Sequence, residues 1–268
     1  MTWHIVGASV IGTSHRETGA PCQDAHLYRV LPTGELILAV ADGAGSAARS
    51  AEGAALAVQC AVESLARACL ENRPEGDEPW QACMRQCFGD ARQAIVDLAA
   101  QDGSSLRLFA TTLTCAVLMP EQVVVGQIGD GFAVAQDEQG ALVALTKPQR
   151  GEYANEAYFL TMRQATDVVD VTSQPLHTKA VALSTDGLLR LALKLPGYTP
   201  HAPFFTPLFS FAADAADEAA AARQLADFLT SGRVCARTDD DKTLVLAAQV
   251  GHTDTVPHGT QTESAGTA

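Results

Sequence analysis

A short apolar run that ends at an aspartate–glycine pair decides the fold: Glu35-Leu36-Ile37-Leu38-Ala39-Val40-Ala41-Asp42-Gly43. A run of this length, bounded by turn residues, predicts a buried β-strand rather than a helix. The glycine after the acid lets the backbone turn sharply and come close to a ligand. The segment therefore predicts a rigid strand that carries a carboxylate at its end.

Three more acids have a similar context further along the chain. Asp130 and Asp186 each follow an apolar run and precede a glycine, and Asp241 comes just before the apolar segment 242–250. A single aspartate–glycine pair is also an ordinary turn, and spacing alone does not show that the acids meet. If they do meet, carboxylate oxygens are the ligands that Mg²⁺ and Mn²⁺ prefer. The pattern thus predicts either separate turns or one divalent-cation site.

The order of the predicted elements indicates the fold class. Strands come first, two helices follow over about 48–70 and 80–100, and hairpin-like strand pairs come next. An Ala-rich helix over 214–229 precedes a last strand. Because a βαβα alternation is absent, a doubly wound parallel fold is disfavoured. We expect an α+β fold, with two mainly antiparallel β-sheets packed as a sandwich and α-helices on the outer faces, in α-β-β-α layers.

The composition excludes several classes of function. The chain has 268 residues and a formal net charge of −13, which argues against nucleic acid as a partner. No window approaches about 18 consecutive apolar residues, so the sequence predicts no transmembrane helix and no membrane partner. The N-terminus lacks the pattern of a signal peptide. The seven cysteines contain no CxxC pair, so we expect reduced thiols and a cytoplasmic location.

Six short motifs occur in a fixed order along residues 5–248. They are Cys22-Gln23-Asp24-Ala25, Ala39-Val40-Ala41-Asp42-Gly43-Ala44-Gly45, Phe109-Ala110-Thr111-Thr112-Leu113, Ile128-Gly129-Asp130-Gly131, Leu183-Ser184-Thr185-Asp186-Gly187-Leu188 and Asp240-Asp241-Lys242-Thr243-Leu244-Val245. Each motif is weak alone. As an ordered set they resemble the signatures of the type 2C, metal-dependent protein phosphatases, in the style of the bacterial members. The resemblance implies a catalytic domain over residues 1–250, and the aperiodic polar segment 251–268 is predicted to be a disordered tail.

The resemblance also implies a metal site with six residues: Asp24, Asp42, Gly43, Asp130, Asp186 and Asp241. Asp42 would bridge two Mn²⁺ or Mg²⁺ ions, and Gly43 would offer its backbone carbonyl. Asp186 and Asp241 would complete the site of the second ion. Asp24 would hold metal-bound water in the outer shell, and Asp130 would help to bind a third, weaker ion.

The implied reaction is hydrolysis of a phosphomonoester by direct attack of water, with Asp42, Asp186 and Asp241 as its catalytic residues. A water molecule held between two cations has a lowered pKa, so no side-chain nucleophile is needed. The sequence agrees, since it has no GxSxG motif and no convincing Cys/His pair.

The chain departs from the family pattern at the positions expected to bind phosphate and donate a proton. Ala44 stands where eukaryotic members carry a histidine, and Gln23 stands where a glutamate is expected. The expected arginine is displaced, because Arg16 lies eight residues before Asp24. Arg16 and His15 are the candidates for phosphate binding, and both could instead be ordinary surface residues. His15 is also a candidate for proton transfer, because an imidazole titrates near neutral pH.

Three functions remain open at this stage. The leading interpretation is a Ser/Thr phosphoprotein phosphatase, with a phosphoprotein substrate and a cognate Ser/Thr kinase acting on the same targets. The alternative is a catalytically weak regulatory module that keeps the phosphatase fold and binds phosphoproteins. A small-molecule phosphatase on the same fold is the third. The acids Asp42, Asp186 and Asp241 favour an enzyme, because a binding module has little reason to keep them all.

Overall fold

The computed structural model describes residues 2–149 and 158–250. Within these ranges the chain forms twelve β-strands: β1 (Trp3–Val10), β2 (Asp24–Val30), β3 (Leu36–Asp42), β4 (Leu113–Leu118), β5 (Gln122–Ile128), β6 (Phe132–Asp137), β7 (Leu142–Ala144), β8 (Asp170–Pro175), β9 (Thr178–Ser184), β10 (Leu193–Lys194), β11 (Thr199–Pro200) and β12 (Lys242–Gln249). The α-helices are α1 (Thr13–Thr18), α2 (Ser50–Glu71), α3 (Asp77–Gln101), α4 (Leu189–Ala192), α5 (Ala202–Ala213), α6 (Glu218–Leu229) and α7 (Gly232–Cys235). Short 3₁₀ helices span Leu106–Phe109, Ala165–Asp167 and Asp186–Leu188. The predicted tail, 251–268, lies outside the described residues.

Two five-stranded sheets form the centre of the fold. One sheet has the strand order β1-β12-β9-β6-β7, and the other has the order β2-β3-β4-β5-β8. All neighbouring strands pair antiparallel. The strands β10 and β11 pair with each other in a separate small hairpin. The predicted fold class, an antiparallel sandwich in an α+β chain, is confirmed.

Three apolar layers hold the sandwich together. Between the sheets, Leu38 and Val40 of β3 share a buried cluster with Val181 of β9 and Val245 of β12. On the outer side of the second sheet, α2 packs its apolar face against β2, β3 and β4, and α3 packs against β5 and β8. On the outer side of the first sheet, α5 and α6 cover β1 and β12. This is the predicted α-β-β-α order, because each sheet buries one face against its partner and the other against helices.

The 22-residue helix α2 is strongly apolar. It is long and apolar enough to cross a membrane, but 56% of its most apolar stretch is buried inside the protein. Its buried residues include Ala54, Ala57, Ala61 and Leu65, which recur at spacings of three and four. The small alanines let this face lie flat against the second sheet and α3. The observed packing is therefore that of a core helix.

The region before the last strand differs from the prediction. The expected single helix over 214–229 begins only at Glu218, where the Asp217 side chain accepts a hydrogen bond from the Ala220 N–H and caps the helix. A separate helix, α5, precedes it and was missed. Its prolines, Pro203 near its start and Pro207 inside it, conceal the helical pattern in the sequence. Buried phenylalanines on α5 stabilise it against the first sheet.

The strand registers bring the acid-bearing ends to one end of the sandwich. Asp24, at the start of β2, lies directly opposite Asp42, at the end of β3. In the other sheet, Ser184 at the end of β9 pairs with Leu244 near the start of β12. Antiparallel neighbours therefore place strand starts beside strand ends, so acids distant in sequence meet between the sheets.

Two glycines in the paired helices predict opposite effects of the same substitution. A Cβ at Gly53 of α2 would lie 2.2 Å from the carbonyl oxygen of Phe109, whereas a Cβ at Gly89 of α3 would meet only Thr166 Cγ2, at 3.9 Å. We expect Gly89→Ala to raise the free energy of unfolding by about 0.5–1 kcal/mol, because alanine favours the helix. Gly53→Ala should lower it by about 1–3 kcal/mol through the clash with backbone. Urea unfolding of both variants measures this, and equal effects of the two substitutions would contradict the packing of α2.

Candidate metal centre

Three carboxylates meet at the end of the sandwich. Asp42, Asp130 and Asp186 each offer a carboxylate oxygen, and these oxygens lie within 4.8 Å of one another. Asp42 ends β3 and Asp130 follows β5, both in the second sheet, while Asp186 follows β9 in the first sheet. All three are partly buried. The structure thus brings three of the acids identified in the sequence to one point between the two sheets.

Two threonines fix the backbone that carries Asp42. The hydroxyl of Thr112 lies 3.0 Å from the Asp42 nitrogen, and the hydroxyl of Thr111 donates to the Asp42 carbonyl at 3.0 Å. The Thr112 N–H donates to the same carbonyl at 2.8 Å. Gly43 then pairs with Thr111 in an isolated antiparallel bridge. Hydrogen bonds to both the N–H and the carbonyl of Asp42 therefore fix the backbone from which the carboxylate projects.

Position 43 has no room for a side chain, so only glycine fits there. A Cβ there would lie 2.7 Å from the carbonyl oxygen of Gln23 and 2.8 Å from Ser50. The Gly43 N–H donates to the same Gln23 carbonyl at 3.1 Å. Any side chain would push the loop after Asp42 away from β2 and change the direction in which the acid points.

Asp24 lies beside the three acids and links the two sheets. One oxygen of its carboxylate accepts a hydrogen bond of 2.8 Å from the hydroxyl of Thr185, which precedes Asp186. Its other oxygen, Oδ1, is buried and has no hydrogen-bond partner in the described part of the chain. Burial raises the pKa of Asp24 to about 7, against the hydrogen bond from Thr185, which lowers it. A buried carboxylate oxygen without a donor is a suitable acceptor for bound water or a cation.

Asp241 lies elsewhere than the sequence predicted. Its side chain is buried, and its two oxygens accept hydrogen bonds of 2.6 Å from the N–H groups of Gly12 and Gln23. His15 Nδ1 is a further 3.0 Å neighbour of Oδ2. Both oxygens are therefore engaged with the N-terminal segment and not with the three acids. The structure therefore does not bring Asp241 together with Asp42, Asp130 and Asp186 as the sequence analysis expected.

Asp240 is the acid of the run 239–241 whose charge acts on both Asp42 and Asp186. Its charge raises the pKa of each of these two acids, and it is itself partly buried. The Asp240 carboxylate accepts a hydrogen bond of 2.9 Å from the Asp241 N–H, and the Asp240 carbonyl accepts one of 2.9 Å from Lys242 Nζ. Sequence reasoning missed Asp240, although it lies in the quoted motif, because nothing in a run of three aspartates marks which one points inward.

The two candidates for phosphate binding lie on the short helix α1. His15 has 16% of its side chain exposed, and its Nε2 lies 3.8 Å from where a Cβ would stand on Gly45. It is therefore next to the loop that follows Asp42. Arg16 is exposed, and its side chain forms no hydrogen bond or ion pair with any described residue. The structure brings His15 to the edge of the site and leaves Arg16 at the surface nearby.

The electrostatics of the site are those of crowded carboxylates. Burial is the first cause that raises the pKa of Asp186 to about 8, and the charges of Asp130, Asp240 and Asp24 add to it. Burial and the charges of Asp24, Asp186, Asp240 and Asp130 likewise raise the pKa of Asp42 well above its ordinary value. Carboxylates held this close repel one another unless a cation lies between them. All the donor atoms are carboxylate oxygens, and such a set fits Mn²⁺ or Mg²⁺.

Comparison with known proteins agrees with this geometry. The family model described as Protein phosphatase 2C matches residues 11–230. The chain belongs to the protein phosphatase 2C family. It is 36% identical over 255 residues to serine/threonine-protein phosphatase 3 of Escherichia coli (strain K12), and the alignment covers 92% of this chain and 98% of that protein. The predicted family and the predicted enzyme class, a protein serine/threonine phosphatase, are confirmed.

Solved structures of this family share the fold. The serine/threonine phosphatase Stp1 from Staphylococcus aureus has a TM-score of 0.62 and 16% identity, covering 94% of this chain and 96% of that one. The catalytic domain of the serine threonine protein phosphatase PstP, in complex with two manganese ions, has a TM-score of 0.57 and 19% identity, covering 93% and 99%. The protein phosphatase 2C fold therefore extends over nearly the whole chain.

The reassignment of the acids predicts different effects at adjacent positions. Asp241→Ala should lower the free energy of unfolding by about 2–5 kcal/mol, because it leaves two buried N–H donors unpaired. Asp240→Asn should fold with unchanged or raised stability in EDTA and should lose Mn²⁺ affinity. Urea unfolding and calorimetric titration with Mn²⁺ measure the two properties. A stable Asp241→Ala variant that has lost Mn²⁺ binding would restore Asp241 as a ligand.

The raised pKa of Asp42 predicts the pH dependence of the metal-free protein. The native state keeps the proton to higher pH than the unfolded state, so it binds more protons and its stability falls as pH rises. The loss begins near pH 4, the ordinary range of a carboxyl, and continues as pH rises towards the raised pKa of Asp42. In EDTA, Asp42→Asn should gain stability over the wild type between pH 5 and pH 8, by at most about 1.4 kcal/mol per pH unit. Urea unfolding across this range gives the difference, and a pH-independent difference would contradict the crowding.

Proposed function

We propose that the chain hydrolyses phosphoserine and phosphothreonine esters in proteins by direct attack of water, with two divalent cations, Mn²⁺ or Mg²⁺, at the metal centre. The observation that carries the proposal is the convergence of Asp42, Asp130 and Asp186, with their oxygens within 4.8 Å. Such a cluster is costly in an unliganded protein, as the raised pKa values of Asp42 and Asp186 indicate. Membership of the protein phosphatase 2C family supports the substrate class.

Each acid has a role in this proposal. Asp42, Asp186 and Asp240 would hold the two cations, with the backbone carbonyl of Gly43 beside Asp42. Asp24 would hold water next to them through its buried Oδ1. Asp130 would contribute to a third, weaker site. When bound, the cations would lower the pKa of a water molecule and offset charge on the phosphate.

Residues 2–149 and 158–250 offer no activated thiol at the site to compete with water as the nucleophile. Cys22 is the thiol near the acids, and burial, followed by the charges of Asp24 and Asp241, raises its pKa to about 12. It therefore stays a neutral thiol at physiological pH, and a thiol is a poor nucleophile. This supports attack by water over a phosphocysteine intermediate.

The segment before Asp24 would bind the phosphate. Asp241 holds His15 at the edge of the site, and Ser14 anchors the start of α1 to the Asp239 carbonyl with hydrogen bonds of 3.0 and 2.8 Å. The imidazole of His15 faces the loop at Gly45, so it would donate to a phosphate oxygen or to the leaving group. Arg16, exposed on the same helix, would reach the phosphate from outside.

The partners follow from the reaction. A phosphoprotein phosphatase implies a kinase that phosphorylates the same targets, and the net charge of −13 argues against nucleic acid as a partner. All seven cysteines are free, which supports a reducing compartment and hence a cytoplasmic location. A single catalytic domain over residues 1–250 remains the prediction for the domain organisation.

A catalytically weak module that binds phosphoproteins is the second candidate. Ala44 and Gln23, which depart from the family pattern, favour it. The retained carboxylates of Asp42, Asp130, Asp186 and others count against it, because binding alone does not require them to be crowded together.

Hydrolysis of p-nitrophenyl phosphate and a phosphothreonine peptide tests the proposal. With Mn²⁺ or Mg²⁺ the wild type should release phosphate, and both EDTA and Asp42→Asn should lower kcat by about 100-fold or more, because the charge that holds the cations is gone. Asp239→Asn is a matched control, since Asp239 is the exposed acid of the same run. Binding of the phosphopeptide without turnover under any metal would instead support the regulatory module.

A further inference from the structure

The turn that carries Asp130 is held by a buried amide. Gln127 is the second-to-last residue of β5, and its side chain is completely buried. Its Nε2 donates hydrogen bonds of 2.8 Å to the Gly129 carbonyl and 2.7 Å to the Gly131 carbonyl. These two carbonyls lie on either side of Asp130. One NH₂ group therefore ties together the carbonyls of the two residues that flank the acid.

A second glutamine holds the same turn from the other side. The Gly129 N–H donates to Gln149 Oε1 at 3.0 Å, and the Gln149 N–H donates to the Gly129 carbonyl at 3.0 Å. Gln149 Nε2 in turn donates to the Val168 carbonyl at 2.9 Å. Gln149 thus links the turn to the segment before β8.

The space around the turn leaves it little freedom. Gly129 has φ +107, and a Cβ there would lie 2.4 Å from Thr112 Cγ2. A Cβ at Gly131 would lie 2.9 Å from the Ser184 carbonyl oxygen. The turn is therefore pressed between Thr112, which also contacts Asp42, and Ser184, two residues before Asp186. Both glycines are needed for this close approach, and the hydrogen bonds from Gln127 set the turn within the space that remains.

We propose that Gln127 is a positioning residue for the metal centre: its amide holds the Gly129-Asp130-Gly131 turn so that the Asp130 carboxylate meets Asp42 and Asp186. The inference rests on the proposed cation site and adds a residue to it that touches neither cation nor phosphate. Gln149 supports the same turn with a smaller contribution.

A purely structural role for Gln127 is the competing explanation. The Gln127 Oε1 is buried and has no hydrogen-bond partner in the part of the chain that the structure describes, so the amide is not an ideal core group. Its two N–H groups, by contrast, are both used on the turn. A structural role would change the stability of the fold and leave the Mn²⁺ affinity of the folded protein unchanged.

Calorimetric titration of the full chain with Mn²⁺ separates these roles. Gln127→Met keeps the side-chain volume and removes both N–H donors. We expect it to lower Mn²⁺ affinity by about tenfold, at the same site that Asp130→Asn weakens, because Gln127 supports a metal ligand without touching the metal. The double variant should bind Mn²⁺ no more weakly than Asp130→Asn alone, because Gln127 acts through that acid. Gln122→Met, at the other end of β5, is the matched control, since Gln122 bonds only to Ser173 Oγ and should leave Mn²⁺ affinity unchanged.

The outcomes are distinct. Unchanged Mn²⁺ affinity in Gln127→Met, or a further loss in the double variant, would overturn the positioning role and leave the metal centre intact. A wild type that binds no Mn²⁺ would overturn the metal centre and this inference with it. If Gln127→Met does not fold, as urea unfolding would show, Gln149→Met carries the same test, with a loss of Mn²⁺ affinity of about two- to tenfold expected.

Discussion

Repulsion among carboxylates at one end of the sandwich is the constraint on which the rest of the structure depends. Asp24, Asp42, Asp130, Asp186 and Asp240 come from both sheets, and each raises the pKa of at least one other or has its own raised. In the absence of a cation such a cluster opposes folding. The fold must therefore hold these acids in place by interactions that do not use the acids' own charges.

Hydrogen bonds to the backbone meet that requirement. Thr111 and Thr112 fix the end of β3, Thr185 accepts a hydrogen bond from the Thr243 N–H, and Gln127 fixes the turn at Asp130. All three threonines and the glutamine are buried, so their bonds are shielded from water. The site is thus built on the rigid ends of strands, with neutral polar side chains as its supports.

Asp241 shows how one acid can serve the site without joining it. Its buried carboxylate binds two N–H groups of the N-terminal segment and contacts His15. The bonds connect the start of β12 with the loop before β2, which carries Asp24, and with α1. The same carboxylate therefore ties the start of β12 to the N-terminal segment and lies beside the imidazole.

The sequence by itself determined the family, the fold class, the two long helices and four of the acids that meet, because those features follow from local patterns. An apolar run that ends at Asp-Gly predicts a strand and its end, and a 3.6-residue period predicts a helix, without knowledge of distant residues. Only the tertiary structure decided which acid of 239–241 faces the site. The chain bends at Asp240 just before β12 begins, and the pairing of β12 with β1 and β9 fixes the direction in which this run of acids enters the strand. The role of Gln127 was hidden for the same reason: its partners are backbone carbonyls, whose positions depend on the fold and leave no pattern in the sequence.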